Sequence, residues 1–270
     1  MQAGKMILGI ADHPSFKTQL NEFLTFASNL KVEVVELRLD RLELLLSLNA
    51  TRQDKTRIVS VLKNHDFRWF VHAPSIGINM ASLNPILRKA SEEAVMKAVR
   101  FAAEICAELV VTHVGRLSRD YPQEYIKKSL ENAIDSLMRI NSFCKDLGVV
   151  FTIENDHKAR DHVLAGDAEQ TKYLVEKIGC KLTFDVGHAN TFGKPEEFAE
   201  QLREHILNIH LHDNDGFEDS HLPLGKGKIN FHEVIRRIGS HLNLPLVLEC
   251  HSFEELEESL NFARQKLAHQ

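Results

Sequence analysis

Short apolar, β-rich runs alternate with longer stretches of helical period along the 270 residues. MILGI (6–10), VEVVELRL (32–39), FRWFVHA (67–73), LVVTHVG (109–115) and VVFTIEN (149–155) read as the first five strands. CKLTFDVGH (180–188) is the sixth with its exit, ILNIHLHDND (206–215) the seventh and LPLVLEC (244–250) the eighth. Helices are expected over 14–30, 84–108, 123–147, 168–179, 195–205, 231–242 and 253–267. Pro85 and Pro195 suit first helical turns, and Gly148 and Gly179 suit helix ends. The polar stretch after the second strand leads to RIVSVL (58–63), to which the pattern assigns no role. Eight strands with intervening helices is the count of a (β/α)8 TIM barrel, a closed parallel barrel that typically uses about 250 residues. One such barrel domain over 1–270 is therefore expected. A doubly wound sheet is the competing fold, but no GxGxxG follows a strand.

Composition adds constraints. Hydrophobic residues make up 43% of the chain, enough for a sizeable core, and the net charge is -5. That balance disfavours a general polyanion binder without ruling out nucleic acid, because bound metal would add local positive charge. The N-terminus has no long apolar run, and no window reaches the ~18 apolar residues of a membrane span. A cytoplasmic protein with no membrane partner is expected, and the sequence is silent on oligomeric state. Cys106, Cys144, Cys180 and Cys250 show no CxxC spacing, lie in or beside apolar segments, and are expected to be buried free thiols.

The chemistry sits at the C-terminal ends of the expected strands. The third ends at His72, the fourth at His113, the fifth at Glu154, and the sixth at Asp185 with His188 just beyond. The seventh carries His210, His212 and Asp213, its loop carries Asp219 and His221, and the eighth ends at Glu249. A lone strand-end histidine is more often structural, but in a barrel all these ends meet at one cavity. Carboxylates gathered there repel one another unless a cation lies between them. Imidazole nitrogen and carboxylate oxygen are ligands for zinc, manganese, iron or cobalt, so a divalent metal is expected. His210 and His212 share a strand face, and spacing alone does not say which of them is a ligand. His13 is a candidate to line the cavity. His65, His157, His162, His205, His232, His241 and His251 carry no converging pattern, and most of them read as surface or structural groups. Lys226 and Lys228, with Gly225 and Gly227, could meet a sugar phosphate or form a plain solvent-facing turn.

The motifs VHAP (71–74), VTHVG (111–115), IEN (153–155), DVGH (185–188), IHLHD (209–213), DSHLPLGKG (219–227) and LVLE (246–249) follow one another in order. In that series the chain resembles the xylose isomerase-like barrel superfamily over nearly its whole length. This group contains sugar-phosphate isomerases and epimerases, inosose-processing enzymes, and AP endonucleases of the endonuclease IV type. For the isomerase and epimerase branch the resemblance implies one metal held by Glu154, Asp185, His210 and Glu249. The two glutamates would also be the catalytic acid/base pair, and His188 would contact substrate. For the endonuclease branch it implies up to three zinc ions on His72, His113, Glu154, Asp185, His188, His210, Asp219, His221 and Glu249, all of which are present. Departures from the nuclease pattern are Ser75 where a tyrosine follows HAP, DVGH where those enzymes have DTCH, and no loop that joins aromatic and basic residues as a wedge.

The expected function is thus a metal-dependent isomerase or epimerase of a sugar, sugar phosphate or related polyol-ketone. It would transfer a proton through a metal-stabilised enediolate, with zinc or manganese as the ion. The alternative is a zinc-dependent AP endonuclease of the endonuclease IV type.

Overall fold

A computed structural model of the chain describes residues 6–48, 52–159, 164–239 and 243–267. The strands are β1 (Ile7–Ala11), β2 (Val34–Arg38), β3 (Arg68–His72), β4 (Leu109–Thr112), β5 (Val150–Glu154), β6 (Lys181–Asp185), β7 (Ile206–Leu211) and β8 (Pro245–Leu248). Each runs parallel to its neighbours, and β1 pairs with both β2 and β8, so the sheet closes into the expected (β/α)8 barrel.

Strand alternation decides what faces the axis. Val34, Phe70, Leu109, Val111 and Val247 form one small buried cluster. Their strand neighbours Val35, Leu37, Val71, Val110 and Leu248 belong to the larger core. Further along the same inward faces the residues turn polar, and Glu36, His72, Glu154, Asp185, His210 and Glu249 are all buried. The β6–β7 register sets Asp185 directly opposite His210.

The helices are α1 (Leu20–Leu30), α2 (Leu42–Ser47), α3 (Arg52–Leu62), α4 (Pro85–Glu104), α5 (Gln123–Asp146), α6 (Ala168–Ile178), α7 (Val186–Thr191), α8 (Pro195–Leu202), α9 (Phe231–Ile238) and α10 (Phe253–Phe262), and a π-helical turn (Ala263–Leu267) follows. α1 starts six residues later than the 14–30 pattern suggests, because Gln19 and Glu22 form a reciprocal capping box. RIVSVL belongs to α3, where Leu62 is buried and Ile58, Val59 and Val61 pack against the core. The exit of the sixth strand is not extended but turns at once into α7. Residues 240–242 of the expected 231–242 helix lie outside the described residues. Among the described residues no helix is long and apolar enough to cross a membrane. Cys144 and Cys250 are buried as expected, whereas Cys180 is half-buried and Cys106 is exposed just beyond α4.

Candidate metal centre

His210 Nδ1 is the meeting point of the residues expected to hold the metal. It lies 2.9 Å from Glu154 Oε1, 3.3 Å from Glu249 Oε1 and 3.9 Å from Asp185 Oδ2. The Asp185 carboxylate is compatible with a cation. Its Oδ1 accepts the His188 amide at 2.6 Å and caps α7, while its buried Oδ2 has no partner. A buried carboxylate oxygen left unpaired costs free energy unless positive charge lies against it.

The far side of the His210 ring is held by Glu36, whose Oε2 lies 3.0 Å from Nε2. Glu36 was not singled out in the sequence because it sits inside the second strand rather than at its end. The available signal was a carboxylate within an otherwise apolar run. Arg38, on the same face of β2, places Nη1 3.2 Å from Glu249 Oε2.

The outer histidines come to the same place. His72 Nδ1 donates to the Ala73 carbonyl at 2.8 Å, and His188 Nδ1 donates to the Asn155 carbonyl at 2.8 Å. Each bond fixes a tautomer whose Nε2 is left to face the cluster. His72 Nε2 and His113 Nε2 both approach Glu154 Oε2, at 3.2 and 3.4 Å. Asp219 is within 3.4 Å of His188 and of His221. Compact donor groups therefore form around Glu154 with His72 and His113, around Glu154 with Asp185 and His188, around His210 with Glu36 and Glu249, and around Asp219 with His188, His212 and His221.

Electrostatics follow the geometry. Burial pushes the Glu154 carboxyl up, but His210 and His113 outweigh it and hold the group well below its usual range. Glu249 is likewise lowered against burial, by His210 and Arg38. Burial opposes charge on His210, yet Glu36, Glu249 and Glu154 raise it well above 6.5. Asp185 and Asp219 do the same for His188. The carboxylates of the cluster thus favour positive charge among them, from imidazolium or from a bound cation.

A cavity of about 530 Å³ opens over these groups, with Glu154, His188 and Glu249 in its lining beside the guanidinium groups of Arg38 and Arg116. His157, read from the sequence as surface or structural, also lines it, with Nδ1 3.1 Å from Asp156 and 3.6 Å from Asp219. His13 instead packs 4.6 Å from His251, and its ring centre is 6.2 Å from that of His221. His162 and His241 lie outside the described residues. The Gly225 amide donates to Asp213 Oδ2 at 2.9 Å, and a Cβ at Gly227 would come within 2.3 Å of Asp213 Oδ1. These glycines let the loop close on Asp213, so the Gly225 amide is already occupied. Lys226 pairs with Glu258 at 2.7 Å.

Among known proteins, the family model for the xylose isomerase-like TIM barrel matches residues 24–266. An uncharacterized protein of Methanocaldococcus jannaschii is 37% identical over 174 residues, which is 62% of this chain and only 59% of that protein's length. A probable endonuclease 4 of Mycoplasma pneumoniae is 26% identical over 202 residues, 67% of this chain and 68% of that one. The crystal structure of a D-tagatose 3-epimerase-like protein superposes with a TM-score of 0.83 at 27% identity, covering 97% of this chain and 100% of that one.

Proposed function

This chain belongs to the xylose isomerase-like TIM-barrel family, and we propose that it is a divalent-metal-dependent isomerase or epimerase of a small sugar, sugar phosphate or related polyol-ketone. The observation that carries this reading is the convergence of Glu154, Asp185 and Glu249 on His210 Nδ1, with Asp185 Oδ2 left unpaired. The likeness to a D-tagatose 3-epimerase-like protein supports it. Glu154, Asp185, His210 and Glu249 hold the ion, zinc or manganese. When bound, it polarises a substrate carbonyl and offsets the charge of the enediolate.

The protein's own groups move the proton. Glu154 ends β5 and Glu249 directly follows β8, both line the cavity, and neighbouring cationic groups hold each in its ionised form. One removes the carbon-bound proton beside the carbonyl. The same carboxyl returns it to the neighbouring carbon in an isomerase, or its partner supplies one to the opposite face in an epimerase. Arg38 braces Glu249, and His188 orients substrate oxygens. The test is deuterium incorporation from heavy water into a panel of ketoses, aldoses and their phosphates, with zinc, manganese or chelator. Metal-dependent exchange at the carbon beside the carbonyl is expected. No exchange with any substrate or ion would defeat the reading.

A second reading, an AP endonuclease, is favoured by the endonuclease 4 relative and by the gathering of all nine cluster positions at one mouth. Metal-dependent incision of an abasic duplex would promote it.

A further inference from the structure

We propose that Arg116 recognises a terminal oxyanion of the substrate, a phosphate or a carboxylate, and so sets a preference for acidic over neutral sugars. The inference deepens the isomerase reading and rests on its placement of the substrate carbonyl beside Glu154 and Glu249.

The cavity wall has two unlike parts. One carries Glu154, His188 and Glu249. Another is the segment 75–79 with Gly115 and Arg116, and of these described residues only Arg116 is charged. Arg116 is set back from the reacting groups. Its Nη2 lies 3.4 Å from Asp156 Oδ1, Asp156 Oδ2 lies 3.6 Å from His113 Nδ1, and His113 Nε2 lies 3.4 Å from Glu154 Oε2. With the side chains of Asp156 and His113 in between, the group Arg116 meets is not the carbonyl but one further along the substrate.

The guanidinium is oriented without being used up. Asp156 faces its Nε and Nη2, both at 3.4 Å, whereas tight charge-assisted pairs stand at about 2.7–2.9 Å. Arg68 and Glu108, for comparison, meet at 2.6 and 2.7 Å. Asp156 Oδ1 also accepts the His157 amide at 2.9 Å. The contact with Asp156 takes the side edge of the guanidinium and leaves the edge formed by Nη1 and Nη2 for a second anion, in the two-pronged manner that suits phosphate and carboxylate. The Arg116 side chain is 51% exposed although Asp156 is buried, so an incoming ligand can reach it.

The backbone beneath the side chain is fixed. Asn79 Nδ2 donates to the Arg116 carbonyl at 2.9 Å, and the Arg116 amide donates to Asn79 Oδ1 at 3.2 Å. Gly115 adopts φ 114°, and a Cβ there would fall 2.5 Å from Asn79 Oδ1, so the glycine of VTHVG lets this pair of bonds form. Other cations near the mouth are engaged elsewhere. Arg38 is bound to Glu249, Lys226 to Glu258, and Lys228 lies over the Phe217 ring. Asp40, which accepts the Ser75 and Ile76 amides, lines a separate cavity.

Binding is measured by calorimetry on zinc- or manganese-loaded wild type, Arg116→Gln, Arg116→Lys and Arg119→Gln, with folding checked by circular dichroism. The probes are D-fructose, D-ribulose and D-glucose, their terminal phosphates, and D-glucuronate. In the wild type an acidic sugar should bind more tightly than its neutral parent. Arg116→Gln should weaken that binding by about 10–100-fold, the range for a hydrogen bond to a charged group, and leave the neutral parent unchanged. Arg116→Lys should recover part of the loss, because it keeps the charge but not the fork. Arg119→Gln makes the same charge change at an exposed neighbour outside the cavity lining and should match the wild type. Losses confined to the phosphates or to the uronate identify the oxyanion. Where a probe is turned over, the loss should fall on KM rather than kcat. Binding is read without turnover, so acidic sugars that bind through Arg116 yet exchange no proton would defeat the isomerase reading alone. No preference for any acidic sugar, equal losses for acidic and neutral sugars, or equal losses in Arg116→Gln and Arg119→Gln would overturn the assignment.

Discussion

Glu36 Oε2 and His210 Nε2 lie 3.0 Å apart, both fully buried, and the contact turns the Nδ1 edge of the ring toward Glu154, Asp185 and Glu249. A carboxylate behind a ligating histidine fixes its tautomer and raises its basicity, and loss of such a partner typically costs about 10–100-fold in metal affinity. Glu36→Ala should weaken metal binding by that amount. Glu36→Gln, which keeps an acceptor but not the charge, should weaken it less. Chelator competition measures both, and unchanged affinity in the two variants would remove Glu36 from this role.

Glu154→Gln and Glu249→Gln should each lower turnover by about 10²–10⁴-fold, the range for a displaced general acid or base. Each should also weaken metal binding, because each carboxylate is asked to hold the ion as well as move the proton. The proton-exchange assay with saturating metal separates the two effects. Full activity in either variant would exclude the assigned role.

Metal affinity should rise with pH. His210 and His188 are raised well above 6.5 by neighbouring carboxylates, so the metal-free protein carries protons that an entering ion must expel. Calorimetry in buffers of different ionisation enthalpy should show net proton release near neutrality. In the metal-free state the sign for stability is the reverse. The contribution of these raised imidazoles is complete below pH about 6.5 and is lost as pH climbs through their folded values. Affinity that does not vary between mildly acidic and mildly alkaline solution would contradict this assignment.

The barrel and the polar groups at its strand ends are legible because each depends on a local pattern. A five-residue stretch with an apolar majority, RWFVH or VFTIE, carries both the strand and its polar tip at His72 or Glu154. Glu36 is not legible as a site residue and the place of His212 is left open, because both depend on how the barrel closes. Glu36 reaches His210 across the barrel from β2, and His212 finds room only because Gly187 has no side chain. His157 reads as an ordinary loop histidine because its approach to Asp219 depends on the fold. α3 was missed because IVSVL is too evenly apolar to show a helical period on its own.

Thiol reactivity should split into one fast and three slow groups. Burial pushes the Cys144, Cys180 and Cys250 thiols up to about 12, while Cys106 is exposed. The thiolate is the reactive form, so a disulfide reagent at pH ~8 should modify one thiol per native chain and the rest only on unfolding. Cys106→Ser should abolish the fast phase. A fast phase that survives this substitution would contradict the burial pattern.

Abasic DNA should not be a main substrate, for a reason located at the cavity rim. Ser75 stands where the endonuclease resemblance would place a tyrosine, and it is tied down by Asp40. The Ser75 amide is 3.0 Å from both Asp40 oxygens, and its hydroxyl donates to Oδ2 at 2.7 Å. Burial pushes the Asp40 carboxyl up, but the Ser75 hydroxyl and the Ile76 amide lower it overall and keep it ionised. A fixed negative charge therefore lies beside the segment that would have to open the duplex, on a chain whose net charge is -5. Ile76 projects from the rim at 77% exposure, with no aromatic neighbour at 75 or 77 to help it unstack a base. DNA binding draws much of its affinity from phosphate neutralisation and weakens steeply with salt. Zinc- or manganese-loaded protein should accordingly show weak binding to an abasic duplex even at low salt, and no incision at the rate of a repair enzyme. The assay is a labelled abasic duplex, with incision followed on a denaturing gel across a salt series. Rapid, metal-dependent, single-site cleavage that persists at physiological salt would reverse the order of the two functional readings.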